Sequence, residues 1–225
     1  MTGAITLPPA APVQSLIDTP ALTPYLRMPH VERGMRVGLF GGSFNPPHAG
    51  HVHVCEQVLR RLRLDQVWWL VTPGNPLKDH SELAPLAERL IACEDITPDP
   101  RMKITACEAN LPTRYSADTI AHIQKRRPLV DFVWIMGADN LGQFHRWNQW
   151  KKIAATIPFV VVDRPGSTMA LHSAPAAQSL RHYRIDEADA PRLASMDAPA
   201  WTFLHGPRNA LSSTLLRARR NSQRR

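Results

Sequence analysis

The chain has 225 residues, 44% of them hydrophobic and 20% charged, with 21 prolines, a length that suits one domain around a single core. No run approaches the ~18 consecutive apolar residues of a membrane span, and three cysteines (Cys55, Cys93, Cys107) without metal-ligand spacing are too few for a disulfide framework, so a soluble protein of a reducing cytoplasm is expected. The net charge of +8 is local: six of the 27 basic side chains are the arginines at 208, 217, 219, 220, 224 and 225, and the rest of the chain is close to neutral.

Residues 1–34 hold six prolines and no sustained periodicity, and the first charged side chain is Asp18. That excludes the basic start of a secretory signal and the Arg-rich start of a transit peptide. The stretch is expected to be a flexible extension ahead of a domain over 35–225. The domain opens with Met35–Phe40, a short apolar run that ends in Gly41-Gly42 and reads as a buried strand entering a tight loop. Helical spacing follows at Val52, Cys55, Val58, Leu59 and Leu62, then a second strand over Val67–Val71 stopping at Pro73-Gly74. Leu83, Leu86, Leu90 and Ile91 repeat the helical spacing, and Met102–Thr105 is a third strand. A helix runs from Ser116 to about Arg126 with Ser116 or Tyr115 near its cap. Strands over Val130–Met136, Phe159–Val162 and Trp201–Leu204 complete the set. Residues 166–200, with Ser173-Ala174-Pro175-Ala176-Ala177 in the middle, read as the least ordered part of the core. Strands alternating with helices of this length predict an α/β, doubly wound, Rossmann-like fold: a mainly parallel sheet with helices on both faces, in a single domain. In such sheets ligands sit beyond the carboxyl ends of the strands.

The loop after the first strand is Gly41-Gly42-Ser43-Phe44-Asn45-Pro46-Pro47-His48-Ala49-Gly50-His51. Its two leading glycines permit backbone conformations closed to other residues, and its prolines stiffen it. His48 and His51 stand three apart where a helix begins, a place that offers unpaired N–H groups and a positive dipole end to an anion. Imidazoles added there can donate to phosphate oxygens and stabilise charge developing during transfer. The string is neither a P-loop, since no lysine follows the glycines, nor a dinucleotide fingerprint, since the glycines fall at 38, 41, 42 and 50. Zinc would need a third and fourth ligand, and none follows at suitable spacing. The bland alternative is a Gly/Pro turn with two ordinary histidines.

That loop resembles the signature of the nucleotidyltransferase superfamily with the His-x-Gly-His motif, and Leu211-Ser212-Ser213-Thr214-Leu215-Leu216-Arg217 resembles its second signature. The segments Pro73–Lys78, Arg114–Thr119, Gly137–Asn140, Phe144–Trp147 and Asp163–Gly166 are similar to the nicotinate-nucleotide adenylyltransferase branch, so the resemblance spans about residues 36–220. It implies in-line attack of nicotinate mononucleotide on the α-phosphate of ATP, giving nicotinate adenine dinucleotide and pyrophosphate, with no covalent enzyme intermediate. On that footing His51 and His48 are the catalytic candidates. ATP is expected to touch Gly41, Gly42, Ser43, Phe44, His48, His51, Gly137, Asp139, Ser213, Thr214 and Arg217. Nicotinate mononucleotide is expected to touch Asn45, Lys78, Tyr115, Ser116, Thr119, Trp147 and Arg164.

Within that set, Asp139 accepts from ribose hydroxyls and Trp147 stacks on the pyridine ring, its alternative being a core tryptophan packed beside Trp150. The resemblance also implies that backbone N–H groups of Tyr115–Thr119 receive the nicotinate carboxylate, which would disfavour the amide. Magnesium is expected to arrive with ATP, with no protein metal site. The chain departs from the family pattern at Asn45, often Asp, at Leu77, often His, and at Leu211, usually Ile. Rival readings are an adenylyltransferase for nicotinamide mononucleotide or phosphopantetheine, a class I tRNA synthetase fragment lacking the lysine-rich second signature, and a nucleic-acid-binding module suggested by the arginine-rich end. The expected partners are ATP and nicotinate mononucleotide, without nucleic acid or membrane, and the sequence leaves the oligomeric state open.

Overall fold

From Arg36 the chain enters the centre of a six-stranded, wholly parallel sheet of order β3-β2-β1-β4-β5-β6. The structure is a computed structural model that describes residues 22–73, 83–111, 115–163 and 173–206. The strands are β1 (Arg36–Gly42), β2 (Gln66–Val71), β3 (Met102–Thr105), β4 (Asp131–Gly137), β5 (Phe159–Val162) and β6 (Trp201–Leu204). The helices are α1 (Ala49–Arg61), α2 (Leu86–Ile96), α3 (Ser116–Arg126), α4 (Ala138–Phe144), α5 (Trp150–Thr156) and α6 (Pro175–Ser179). No helix among the described residues is long and apolar enough to cross a membrane.

Both faces of the sheet are covered, which is why its strands read as unbroken apolar runs and not as alternating ones. Successive side chains point to opposite faces. In β2, Val67, Trp69 and Val71 join the α1 and α2 side, with Cys55, Val58, Leu59, Leu86 and Leu90. Trp68 and Leu70 join the α3, α4 and α5 side, with Ile120, Ile123, Leu141, Phe144 and Ile153. Each fully buried side chain of this size contributes roughly 1.5–3 kcal/mol.

Four expectations change. The segment from Leu22 to Gly34 is part of the fold and not an extension: Leu22 is buried in the α1/α2 core with Tyr25 and Leu26 packed against it. The Tyr25 carbonyl accepts from the Ala106 N–H and, with the Arg27 carbonyl, from the Thr105 hydroxyl. The segment begins as a tight turn, in which the Tyr25 and Leu26 N–H groups both donate to the Leu22 carbonyl. Residues 1–21 lie outside the described residues. In α2 the buried stripe is Leu86, Arg89, Leu90 and Cys93, while Ile91 is 54% exposed; the apolar spacing had taken in Leu83, which precedes the helix, and passed over the arginine. Residues 173–200 are ordered as α6 and the 3-10 segments Arg181–Tyr183 and Glu187–Ser195, which bury Ala176, Ala177, Leu193 and Ala194. Such short turns carry no long periodicity to read. Finally, neither Gly41 nor Gly42 has a positive φ; in this loop that conformation belongs to Phe44, at 45°.

Candidate active site

The chain leaves β1, winds out through β2 and β3, then returns to place β4 on the other side of β1. Between β1 and β4 the strand order therefore reverses, and in open parallel sheets ligands bind beyond the carboxyl ends of the strands at such a point. The loop after β1 and the junction of β4 with α4 flank that point. Gly41 is small because of what faces it: a Cβ there would lie 2.7 Å from Cη2 of Trp134 on β4.

His48 is the N-cap of α1 and His51 stands in its first turn. The Gly50 N–H donates to Nδ1 of His48 at 3.1 Å, and the His48 N–H donates to Nδ1 of His51 at 3.1 Å. The rings lie 3.7 Å apart, centroid to centroid, tilted by 30°, and the residues are only 5% and 9% exposed. With each Nδ1 accepting from the backbone, the proton of each neutral ring sits on Nε2. The cap thus makes both histidines Nε2–H donors at a helix N-terminus, where backbone groups and the dipole already favour an anion. Phe44 stacks on Trp69 at 4.8 Å and meets His51 edge-on at 5.1 Å, and Phe40 closes the block. This apolar bed fixes the His51 ring and keeps water from beneath it.

Ser43 and Asn45 are half-buried in the same loop. The Asn45 side-chain oxygen accepts from the Ala84 N–H at 3.3 Å, and the Ser43 carbonyl accepts from Nη1 of Arg89 at 2.7 Å. On the other wall, Gly137 caps α4 and Asp139 is exposed in its first turn. Trp147 is half-buried, edge-on to Phe144 at 5.5 Å and to Trp134 at 6.3 Å. Tyr115 is the exposed N-cap of α3; its carbonyl accepts from the Asp118 and Thr119 N–H groups, so Ser116 and Ala117 supply the amides ahead of the first intrahelical bond. Thr119 is buried and its hydroxyl donates to Oε1 of Glu108 at 2.7 Å, which makes its side chain a brace for the helix start. Lys78, Arg164, Ser213, Thr214 and Arg217 lie outside the described residues.

Two residues at the site escaped the sequence reading. Glu108 is buried under α3, and burial raises its pKa against the pull of the Thr119 and Thr72 hydroxyls. Arg89 is 2% exposed and reaches the loops after both β1 and β2. A signal for Arg89 existed: it falls on the Leu86, Leu90 and Cys93 stripe, where a cation is out of place unless its N–H groups are used.

The sequence of the cytidylyltransferase-like family matches residues 39–219. A relative from Mesorhizobium japonicum, named "Probable nicotinate-nucleotide adenylyltransferase", is 60% identical over 190 residues, 84% of this chain and 97% of its own. One of the same name from Methylorubrum extorquens strain PA1 is 59% identical over 185 residues, 82% of this chain and 100% of its own. The solved structure of Plasmodium falciparum nicotinic acid mononucleotide adenylyltransferase complexed with NaAD shares the fold, with a TM-score of 0.61 at 16% identity over 81% of this chain and 82% of that one.

Proposed function

The chain belongs to the nicotinate-nucleotide adenylyltransferase family of cytidylyltransferase-like enzymes, and from that premise we propose how its residues divide the work of joining ATP to nicotinate mononucleotide. An oxygen of the mononucleotide phosphate attacks the α-phosphorus of ATP, the bond from that phosphorus to the bridging oxygen breaks, and pyrophosphate leaves. The product is nicotinate adenine dinucleotide. Since the attacking group is already an anion, the protein needs neither a nucleophile nor a strong base. It needs alignment and charge neutralisation.

The observation that carries this division is the capping pair: His48 and His51 have their Nδ1 atoms turned into the backbone, so their Nε2–H groups serve the phosphates. His51, held by Phe44 and Phe40, is assigned to the charge that grows on the α-phosphate and the departing oxygen, and His48 to the ground-state phosphates. The backbone of Gly41, Gly42, Ser43 and Phe44, and Gly137, bound the ATP side, with Asp139 accepting from ribose. Ser213, Thr214 and Arg217 belong to the same set by their motif. On the acceptor side the amides of Ser116 and Ala117 at the α3 start meet the carboxylate, Trp147 meets the pyridine ring, and Tyr115, Asn45, Lys78 and Arg164 flank them. An amide would present N–H to N–H there, which is the basis for choosing the acid.

The loop offers N–H donors, which suit phosphate oxygens and not a hard cation, so magnesium fits here as Mg-ATP, held by phosphate oxygens and water. It supplies further neutralisation of the phosphate charge. The partners in this reading are the two small substrates. The setting is the cytoplasm, where ATP is at hand; that Cys55, Cys93 and Cys107 are buried and outside any disulfide agrees with it.

Pyrophosphate release from Mg-ATP tests the reading, with nicotinate mononucleotide, nicotinamide mononucleotide and phosphopantetheine run in parallel. Strong preference for the first is expected. Preference for either of the others would leave the phosphate side standing and overturn the acceptor roles of Trp147 and the α3 start.

A further inference from the structure

Arg89 projects from α2 into the core side of the site, 2% exposed. Its Nε donates to the Ala84 carbonyl at 2.9 Å, Nη1 to the Ser43 carbonyl at 2.7 Å and to the Thr72 carbonyl at 2.8 Å, and Nη2 lies 3.4 Å from the Pro73 carbonyl. No carboxylate pairs with it among the described residues. A buried cation that spends its N–H groups on neutral carbonyls is unusual, because desolvating the charge is costly without a counter-ion. An apolar residue at this point of the stripe would pack with Leu86, Leu90 and Cys93 at no such cost. What the arginine gains is span. Ser43 belongs to the loop after β1, which carries the phosphate-side histidines. Thr72 and Pro73 begin the segment after β2, and Ala84 precedes α2; together they bracket in sequence the stretch that holds Lys78. Asn45 adds a second tie between the same two regions through the Ala84 N–H.

We propose that Arg89 is a positioning residue that sets the register between the ATP-phosphate loop after β1 and the acceptor-side segment after β2. The inference rests on the division of roles proposed above. In-line transfer has no covalent anchor between the reacting groups, so its rate depends on how well two separately bound phosphates are aligned, and small misplacements cost much. Only a planar fork reaches all four carbonyls: a lysine ammonium is one compact point with three donors and cannot bridge them. Burial pushes the Arg89 pKa down to about 10, which leaves it charged at neutral pH. Its charge therefore lies against the loop after β1 that is assigned the polyphosphate, and no carboxylate among the described residues pairs with it.

The test uses the full chain with Arg89→Lys, Arg89→Met and Arg89→Ala, each checked by circular dichroism and thermal unfolding. Initial rates are then taken over ATP and nicotinate mononucleotide concentrations. Alignment loss predicts a fall in kcat of about a hundredfold in Arg89→Lys, although the charge is kept, with the KM for ATP changed less than about threefold and that for the mononucleotide raised more. Millimolar guanidinium should recover part of the lost turnover in Arg89→Ala and none in the wild type. A folded Arg89→Lys with near wild-type kcat, or variants whose rates fall only in proportion to the folded fraction, overturns the proposal. If Arg89→Met and Arg89→Ala fail to fold, Arg89→Lys decides alone, and if it too fails to fold the role is scaffold only. A wild-type enzyme inactive with nicotinate mononucleotide overturns the functional reading and this proposal with it; an active wild type with unaffected variants overturns this proposal only.

Discussion

The main-chain N–H of His48 donates to Nδ1 of His51 across 3.1 Å, while the Gly50 N–H donates to Nδ1 of His48 at the same distance. One helix cap therefore orients both imidazoles, and its structural and chemical parts can be separated by substitution. If His51 donates to the transferring phosphate as proposed, His51→Ala should lower kcat by about 10²–10³. His48→Asn keeps a good N-cap acceptor and loses the Nε2–H, so unfolding should stay near wild type while activity falls. His48→Ala should add a loss of about 1 kcal/mol in stability. Equal activity in His48→Asn and wild type would remove His48 from the phosphate site.

Glu108 links the start of α3 to the end of β2 through the hydroxyls of Thr119 and Thr72. Burial raises its pKa, so folding favours the protonated form. The contribution of such a group is fully present below the ordinary carboxylate pKa and is lost as pH rises through the raised folded value. Glu108→Gln keeps an oxygen for Thr119 and cannot ionise, so its Tm relative to wild type should improve from about pH 5 to pH 8. Thr119→Val, which strips the donor, should cost about 1–3 kcal/mol. A pH-independent difference for Glu108→Gln would show that folding does not raise the pKa of this carboxyl.

All six strands were legible because a parallel sheet covered on both faces leaves short, unbroken apolar runs with glycine or proline at their ends. Met102–Thr105, Phe159–Val162 and Trp201–Leu204 fall where their residues predict. The seven-residue helices α4 and α5 and the 3-10 segments were not, since segments this short give no 3.6-residue periodicity to detect. The placing of the histidine pair at a helix start was legible. That each Nδ1 is tied to the backbone depends on the β/extended His48 conformation, at φ −156° and ψ 165°, which spacing alone does not encode. Arg89 was hidden because a charged side chain in an apolar stripe reads as a break in the pattern, whereas here its guanidinium ties α2 to the loops after β1 and β2.

Gly41 and Gly142 give opposite expectations for the same change. A Cβ at Gly41 meets Trp134 Cη2 at 2.7 Å, and a packed indole on β4 cannot swing aside. Gly41→Ala should destabilise by about 1–3 kcal/mol and lower activity by displacing the loop. Nothing lies within 4 Å of a Cβ at Gly142, inside α4, so Gly142→Ala should stabilise by roughly 0.5–1 kcal/mol. Chemical denaturation of the pair checks both signs.

Burial pushes the thiol of Cys93 up to about 12 and that of Cys107 up to about 11, and Cys55 is buried against the sheet. Thiolate is the reactive form, so a disulfide-exchange reagent should label none of the three at pH 8 in the native enzyme and all three after denaturation. Fast native labelling with loss of activity would place a thiol at the surface of the site.

Trp147 has two plausible employments, and its contacts let them be told apart. Edge-on packing to Phe144 at 5.5 Å and to Trp134 at 6.3 Å holds the ring by its environment, yet the residue stays half-buried. If the ring stacks on the pyridine, Trp147→Ala should raise the KM for nicotinate mononucleotide by about two- to tenfold, with the KM for ATP little changed. Trp147→Phe, with a smaller aromatic face, should restore most of that loss. A core role predicts something else: both Michaelis constants shift together, and the effect tracks the fall in Tm. The comparison is sharpened by Trp150, which packs on Phe144 at 5.8 Å from α5. Trp150→Phe removes comparable packing on the same phenylalanine, so it should lower Tm without separating the two substrates, and only a substrate-selective effect at Trp147 assigns it to the acceptor.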